Sequence, residues 1–348
     1  MNVRYRPRPV THVHDIVATY PHRLAGHCGS GSLRDLLEFH GLDYGHGPLS
    51  EGMCFGLGGG LGFFYLEIPG FRPPIYLVGR TGQMEEDVAS HLGAGLEVRE
   101  TDDPDAGWKT VRDAVDAGRP PMLWADIAEL EYLRVKMSNT RHDIVVVGYD
   151  EDEGIAWIAD NDRPDLQRCS LASLARARAS SGFPGPNNHR VVLYDWPEQL
   201  RAPDEAARLA LRRAVDNMRG ERPEVFGLEA PGGLDGVARF ALRYPAWPEV
   251  LGSALEEALG ALRVLIVKAG TGGALFRSLH AEFLRDMGTL LGDDGLTEMA
   301  GTYDVLAAAW VDLATAAGER RHDDGVPLVE TIARLEQEGV EAMEGWLA

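Results

Sequence analysis

The sequence predicts an α+β chain: a first half in which short strands build an antiparallel sheet beside short helices, and a second half made mostly of helices. Three observations carry this. Up to about residue 195, β-branched runs and amphipathic stretches follow one another irregularly, unlike the strand–helix repeat of a doubly wound sheet. Asp150-Glu151-Asp152-Glu153-Gly154 reads as a hairpin turn between two apolar strands. After Trp196-Pro197, Ala/Leu/Arg/Glu-rich stretches recur at helical spacing.

In the first half, the β-branched runs predict strands over Ile75–Val78, Pro121–Ala125, Ile144–Tyr149, Gly154–Ala159 and Arg190–Tyr194. Phe63-Phe64-Tyr65-Leu66 adds another. Apolar positions three and four apart predict helices over Ser32–His40, Gln83–His91, Trp108–Ala117 and Leu171–Ala179. In the second half the same spacing predicts helices over Pro203–Met218, Leu234–Ala241, Pro248–Val267, Ala274–Leu291, Leu296–Ala317 and Pro327–Leu347. Gly and Pro punctuate them, as at Gly270–Gly273 and Gly292–Gly295. Two domains are expected, 1–198 and 199–348, with no internal repeat.

The 348 residues carry 34 Lys+Arg against 54 Asp+Glu, a formal charge of −20. The excess is even: 19 cationic against 29 acidic residues up to residue 200, and 15 against 25 beyond it. A binder of nucleic acid needs a basic face to neutralise phosphates, so that class is excluded. No apolar run reaches the ~18 residues of a membrane span. The basic start, Met1 to Pro9, leads into no apolar stretch and is not expected to be a secretion signal. Three cysteines without a CxxC pair argue against a disulfide framework or a structural metal, and place the chain in a reducing cytoplasm. His12, His14 and Asp15 are too few to make a metal site.

Cys28 lies in His27-Cys28-Gly29-Ser30-Gly31, just ahead of an amphipathic helix with Leu33, Leu36, Leu37 and His40 on one face. A cysteine at a helix N-terminus feels the positive end of the dipole, which favours the thiolate, and its amide can donate to an oxyanion. His142 opens an apolar strand whose return strand ends in Asp160-Asn161. About the acidic turn, paired residue numbers should sum to about 302–303, which sets His142 opposite Asp160 or Asn161. Either could orient an imidazole, the third-group role in a triad. Cys54 and Cys169 have no histidine near in sequence and read as structural.

Cys, His and Asp/Asn in that chain order resemble the papain-like superfamily, in the form of the bacteriocin-processing peptidase domains. His27-Cys28-Gly29-Ser30-Gly31, followed by Leu49-Ser50-Glu51-Gly52-Met53-Cys54-Phe55-Gly56-Leu57-Gly58, is similar to the butirosin biosynthesis protein H N-terminal family. Thr271-Gly272-Gly273-Ala274-Leu275-Phe276-Arg277 and the helices after it look like the companion domain fused to it. The resemblance implies a papain-like fold and an acyltransferase of secondary metabolism, moving an acyl or aminoacyl group from a carrier-protein thioester to a small-molecule amine. Cys28 would be the nucleophile, His142 the base and Asp160 its support, with no cofactor beyond the carrier's phosphopantetheine arm. A hydrolase would use the same triad with water as acceptor, and a non-catalytic scaffold would need an unreactive Cys28.

The papain-like pattern places a Gln six residues before the Cys; here that position is His22, which either donates to the oxyanion or lies on the surface. The run Gly56–Gly62 lacks the Lys-Ser/Thr ending of a phosphate loop and reads as a tight backbone bend. Gly59 and Gly60 are expected to line the channel for the acyl chain or the pantetheine arm. Glu51 either binds the acceptor amine or fixes a turn. Carrier proteins are acidic, so an acidic enzyme needs a local basic patch to receive one. The arginines between Arg201 and Arg222, above all Arg208, Arg212 and Arg213, are the expected docking helix, unless Asp204, Glu205 and Asp216 merely pair with them. A homodimer is compatible with the sequence.

Overall fold

The computed structural model describes residues 13–68, 70–220, 224–225, 228–229 and 231–348. It forms two compact units, one of residues 1–49 and 92–201, the other of residues 50–91 and 202–348. One cut between the units falls at 201/202, and they are not the two continuous stretches expected. Residues 50–91 belong with the helices of the second half.

The first unit is α+β. Its six strands run antiparallel in the order Gly95–Arg99, Val191–Asp195, Met122–Ala125, His142–Asp150, Ile155–Ala159, Gln167–Ser170. Ile144 to Val147 are four consecutive buried residues, so this central strand is covered on both faces. The Val13–Thr19, Cys28–Phe39 and Pro104–Asp116 helices pack on it. The Cys28–Phe39 helix turns Leu33, Leu36 and Leu37 into the core, the face its spacing predicted.

The hairpin register differs from expectation. Tyr149 pairs with Ala156 and Val145 with Ala159, sums of 305 and 304, with an irregularity between Val146 and Gly148. The turn is centred one residue later than the acidic run suggested, and the ladder stops at Ala159, so Asp160 and Asn161 lie just past the strand end.

The second unit holds a two-stranded hairpin, Leu61–Glu67 with Ile75–Arg80, among helices. The Glu51–Leu57 helix packs on the Arg277–Leu291 helix through its glycines. A Cβ on Gly56 would lie 1.9 Å from Phe283 Cγ, and one on Gly52 would lie 2.5 Å from Glu282 Cβ. Only glycine permits that approach. Arg277 ties hairpin to helices from a fully buried position. Its Nη1 donates to the carbonyls of Gly79 and Leu275, its Nη2 to that of Gly62, and its Nε to Glu336 at 2.7 Å. Trp310 Nε1 donates to the same carboxylate.

Two expected helices are shortened by backbone geometry. The stretch predicted as Pro248–Val267 breaks at Gly252, with φ of 51°, into Trp247–Leu251 and Leu255–Val267. The helix predicted from Ala274 starts at Arg277, because Leu275 and Phe276 hold positive φ. No described helix is long and apolar enough to cross a membrane.

Candidate active site

Cys28 is the first residue of its helix. A histidine does the capping: the Nδ1 of His27 accepts from the Ser30 amide at 3.2 Å and sits 3.0 Å from Ser30 Oγ. The half-buried Cys28 thiol therefore lies at the positive end of a twelve-residue helix. Gly31, three residues on, is where the helix meets the end of the hairpin. A Cβ there would lie 2.5 Å from Ala25 Cβ and 2.7 Å from Asn161 Cγ.

The first strand residue, His142, places Nε2 3.0 Å from Asp160 Oδ2 and hydrogen-bonds Cys28 as well. Asp160 is fully buried and also accepts from the Tyr132 hydroxyl at 2.9 Å and the Asp162 amide at 3.0 Å. Burial alone would raise the Asp160 carboxyl. The His142 charge, its hydrogen bond, the Asp162 amide and the Tyr132 hydroxyl together hold it down at about 2. Burial alone would likewise lower His142, but Asp160 and then the Cys28 sulfur drive it well above the usual imidazole value. Thiol, imidazole and ionised carboxylate form one chain of contacts, which favours proton transfer from sulfur to His142.

Of the two residues left open as the imidazole's partner, the geometry selects Asp160. Asn161 faces away and braces the loop. Its Nδ2 donates to Arg23 O and Asp35 Oδ2, both at 3.1 Å, and its Oδ1 accepts from Ser32 Oγ. The Ala25 amide donates to Asn161 O. Asn161 thus fixes the segment that carries Cys28.

His22 takes neither place expected of it. Its side chain is buried, with Nδ1 3.0 Å from Asp35 Oδ2 and Nε2 3.1 Å from the carbonyl of Arg163. Both ring nitrogens are committed, so neither can donate to an oxyanion. The Cys28 amide, at the helix N-terminus, is the donor the sequence reading supplies in its stead.

Glu51, Gly59 and Gly60 lie in the second unit, and packing there accounts for them. Glu51 opens the Glu51–Leu57 helix behind the Ser50 cap, where an acid complements the dipole. Gly59 has a φ of 58°, and a Cβ on it would meet Arg213 Cγ at 2.5 Å. A Cβ on Gly60 would meet the Phe55 ring. The arginines of the Pro203–Gly220 helix are largely engaged within the unit. Arg213 pairs with Asp87 at 2.8 Å, Arg219 grips Glu344 with two bonds, and Arg208 lies over the Trp346 ring. Arg212 is exposed and pairs with no acid among the described residues, so the expected cationic patch is much reduced. Arg222, like His12, lies outside the described residues.

Sequence reasoning passed over Asp143. It is 1% exposed, and its Oδ2 lies 3.7 Å from Cys28 Sγ, so a carboxylate other than that of Asp160 touches the sulfur. A charged residue at the head of an otherwise apolar strand was the available signal. Cys54 and Cys169 are fully buried, and burial pushes the Cys169 thiol up to about 11.

A thiol at a helix start, an imidazole at a strand start and a buried carboxylate past the next strand define an α+β protein with a Cys–His–Asp constellation. Residues 27–161 match the family model "Butirosin biosynthesis protein H, N-terminal", and residues 172–343 match "Domain of unknown function (DUF4872)". The chain belongs to the butirosin biosynthesis protein H-like family. The first match begins one residue before Cys28 and ends at Asn161, so it spans the whole constellation. No curated protein matches the chain at the significance required.

Proposed function

We propose that this protein is a biosynthetic enzyme of secondary metabolism, a papain-like, cysteine-dependent acyltransferase. It moves an acyl or aminoacyl group from a carrier-protein thioester through an acyl-Cys28 intermediate to a small-molecule amine. The observation that carries this reading is the contact chain Cys28–His142–Asp160, with Asp160 ionised and fully buried. The family name, taken from an antibiotic pathway, favours biosynthesis over digestion. Three free thiols suit a reducing cytoplasm.

The chemistry follows from the groups present. His142 takes the Cys28 proton, the thiolate attacks the donor carbonyl, and the carrier thiol leaves with the proton from His142. The oxyanion forms beside the first amides of the Cys28–Phe39 helix. Thioester exchange costs little free energy, so acyl-Cys28 can wait for an acceptor. The carrier's phosphopantetheine arm is part of that substrate.

The test is intact-mass detection of an acyl adduct after incubation with acyl-carrier thioesters. The adduct should form on Cys28 and be absent in Cys28→Ala. Release by an added amine supports transfer, and release by water alone makes the protein a hydrolase. No adduct with any thioester, together with an unreactive Cys28, would sink the reading.

A further inference from the structure

We propose that Asp143 receives the ammonium group of the acceptor at Cys28 and takes its first proton, so that amines outcompete water at the acyl-enzyme. The inference rests on the acyl-Cys28 intermediate proposed above and concerns the step that consumes it.

The geometry carries it. Asp143 Oδ2 stands 3.7 Å from Cys28 Sγ, and the side chain is 1% exposed. The sulfur also meets His142, which Asp160 holds. Two acid–base groups therefore contact one sulfur. A desolvated carboxylate beside the acylated sulfur offers an incoming ammonium a charge-assisted hydrogen bond, and offers a water molecule a weaker one. The acyl carbon is one bond from Sγ, and a nucleophile poised for attack stands about 3–3.5 Å from that carbon. A nitrogen so placed is within reach of Asp143.

Amines also need two proton acceptors where water needs one. An ammonium must lose a proton before its lone pair exists, and the adduct nitrogen must lose another before the amine is committed. In the proposed step Asp143 takes the first proton and the lone pair forms the C–N bond. His142, left neutral after protonating the departing carrier thiol, takes the second. The C–S bond then breaks with its electron pair on Cys28. The products are the amide, the Cys28 thiolate, protonated His142 and protonated Asp143, and Asp143 returns its proton to solvent. Charge and protons balance without a further reactant.

The experiment uses the full chain, acylated at Cys28 with an acyl N-acetylcysteamine thioester and freed of excess donor. Loss of the adduct is followed by intact mass in buffer alone, with putrescine (a dication at neutral pH) and with hydroxylamine (neutral there). Asp143→Asn should slow release by putrescine about 10- to 100-fold, the worth of a charge-assisted hydrogen bond. Release by hydroxylamine should change far less, so the ratio of the two rates falls. An unchanged ratio overturns the inference while leaving the acyl-enzyme standing. Failure of the unsubstituted protein to form any acyl-enzyme overturns both readings. Should Asp143→Asn not fold, the unsubstituted protein still decides: release by putrescine should saturate with concentration and release by hydroxylamine should not. Strict proportionality for both overturns the inference.

Discussion

Replacing Asp160 by Asn isolates the charge that holds the candidate site together. The amide keeps an oxygen able to accept from His142 Nε2 and from Tyr132, so the contacts at 3.0 and 2.9 Å can persist while the negative charge is lost. The Asp160 carboxyl is held at about 2 against an ordinary 3.8, close to two pKa units, even though burial pulls the other way. At ~1.4 kcal/mol per unit this is about 2.5 kcal/mol of favourable interaction, shared among His142, the Asp162 amide and Tyr132. Linkage is reciprocal, so the part of that ~2.5 kcal/mol exchanged with His142 is lost to the imidazolium, and the thiolate–imidazolium pair falls about 10- to 100-fold. The sign is fixed: Asp160 raises His142, so its removal lets the imidazolium discharge at lower pH and forces Cys28 to ionise alone. The assay is the rate of Cys28 alkylation by iodoacetamide against pH. Cys54 and Cys169 are fully buried and stay silent. The Asp160→Asn protein should react about 10- to 100-fold more slowly near pH 6, and approach the unsubstituted rate above the ordinary thiol pKa of about 8.5. Superimposable profiles would refute the coupling.

Two further outcomes follow from buried contacts. Glu336→Ala strips the fully buried Arg277 guanidinium of its carboxylate partner and Trp310 of its acceptor, and should cost about 3–5 kcal/mol in urea unfolding followed by circular dichroism. Glu336→Gln, which keeps an acceptor, should cost less. His22→Ala removes two hydrogen bonds inside the first unit and should cost about 2–3 kcal/mol of stability, with little change in the rate of Cys28 acylation. A loss of acylation of about 10²–10³ would return His22 to the oxyanion hole.

How much of this was legible can be read element by element. The Leu171–Ala179 helix appears as its periodicity predicts, and Cys28, His142 and Asp160 come together. The Cys28–Phe39 helix begins four residues earlier than expected, because Gly29-Ser30-Gly31 is a weak helix former by propensity. What overrides propensity there is tertiary: a histidine cap, and an approach to Asn161 that a side chain at position 31 would block. The Gly95–Arg99 strand was invisible, since its residues are mostly exposed and it borders the sheet, leaving no alternation to detect. His22 was misread because position along the chain does not show where a ring nitrogen points. The packing role of Gly52 and Gly56 depends on Glu282 and Phe283, more than two hundred residues away.

The membership of residues 50–91 has a consequence for how the chain is made. These residues leave the ribosome after the first 49 of one unit and ahead of the other 110, yet the helices that cover them come only after residue 202. The Glu51–Leu57 helix, whose glycines need Phe283 and Glu282 to fill their grooves, must wait for most of translation before its partner exists. A fragment cut at residue 200 would strand its apolar hairpin, and one beginning there would lack the carbonyls of Gly62 and Gly79 that Arg277 requires. The two halves of the polypeptide are thus not separable parts, and an excised helical half is expected to be insoluble unless residues 50–91 are supplied with it.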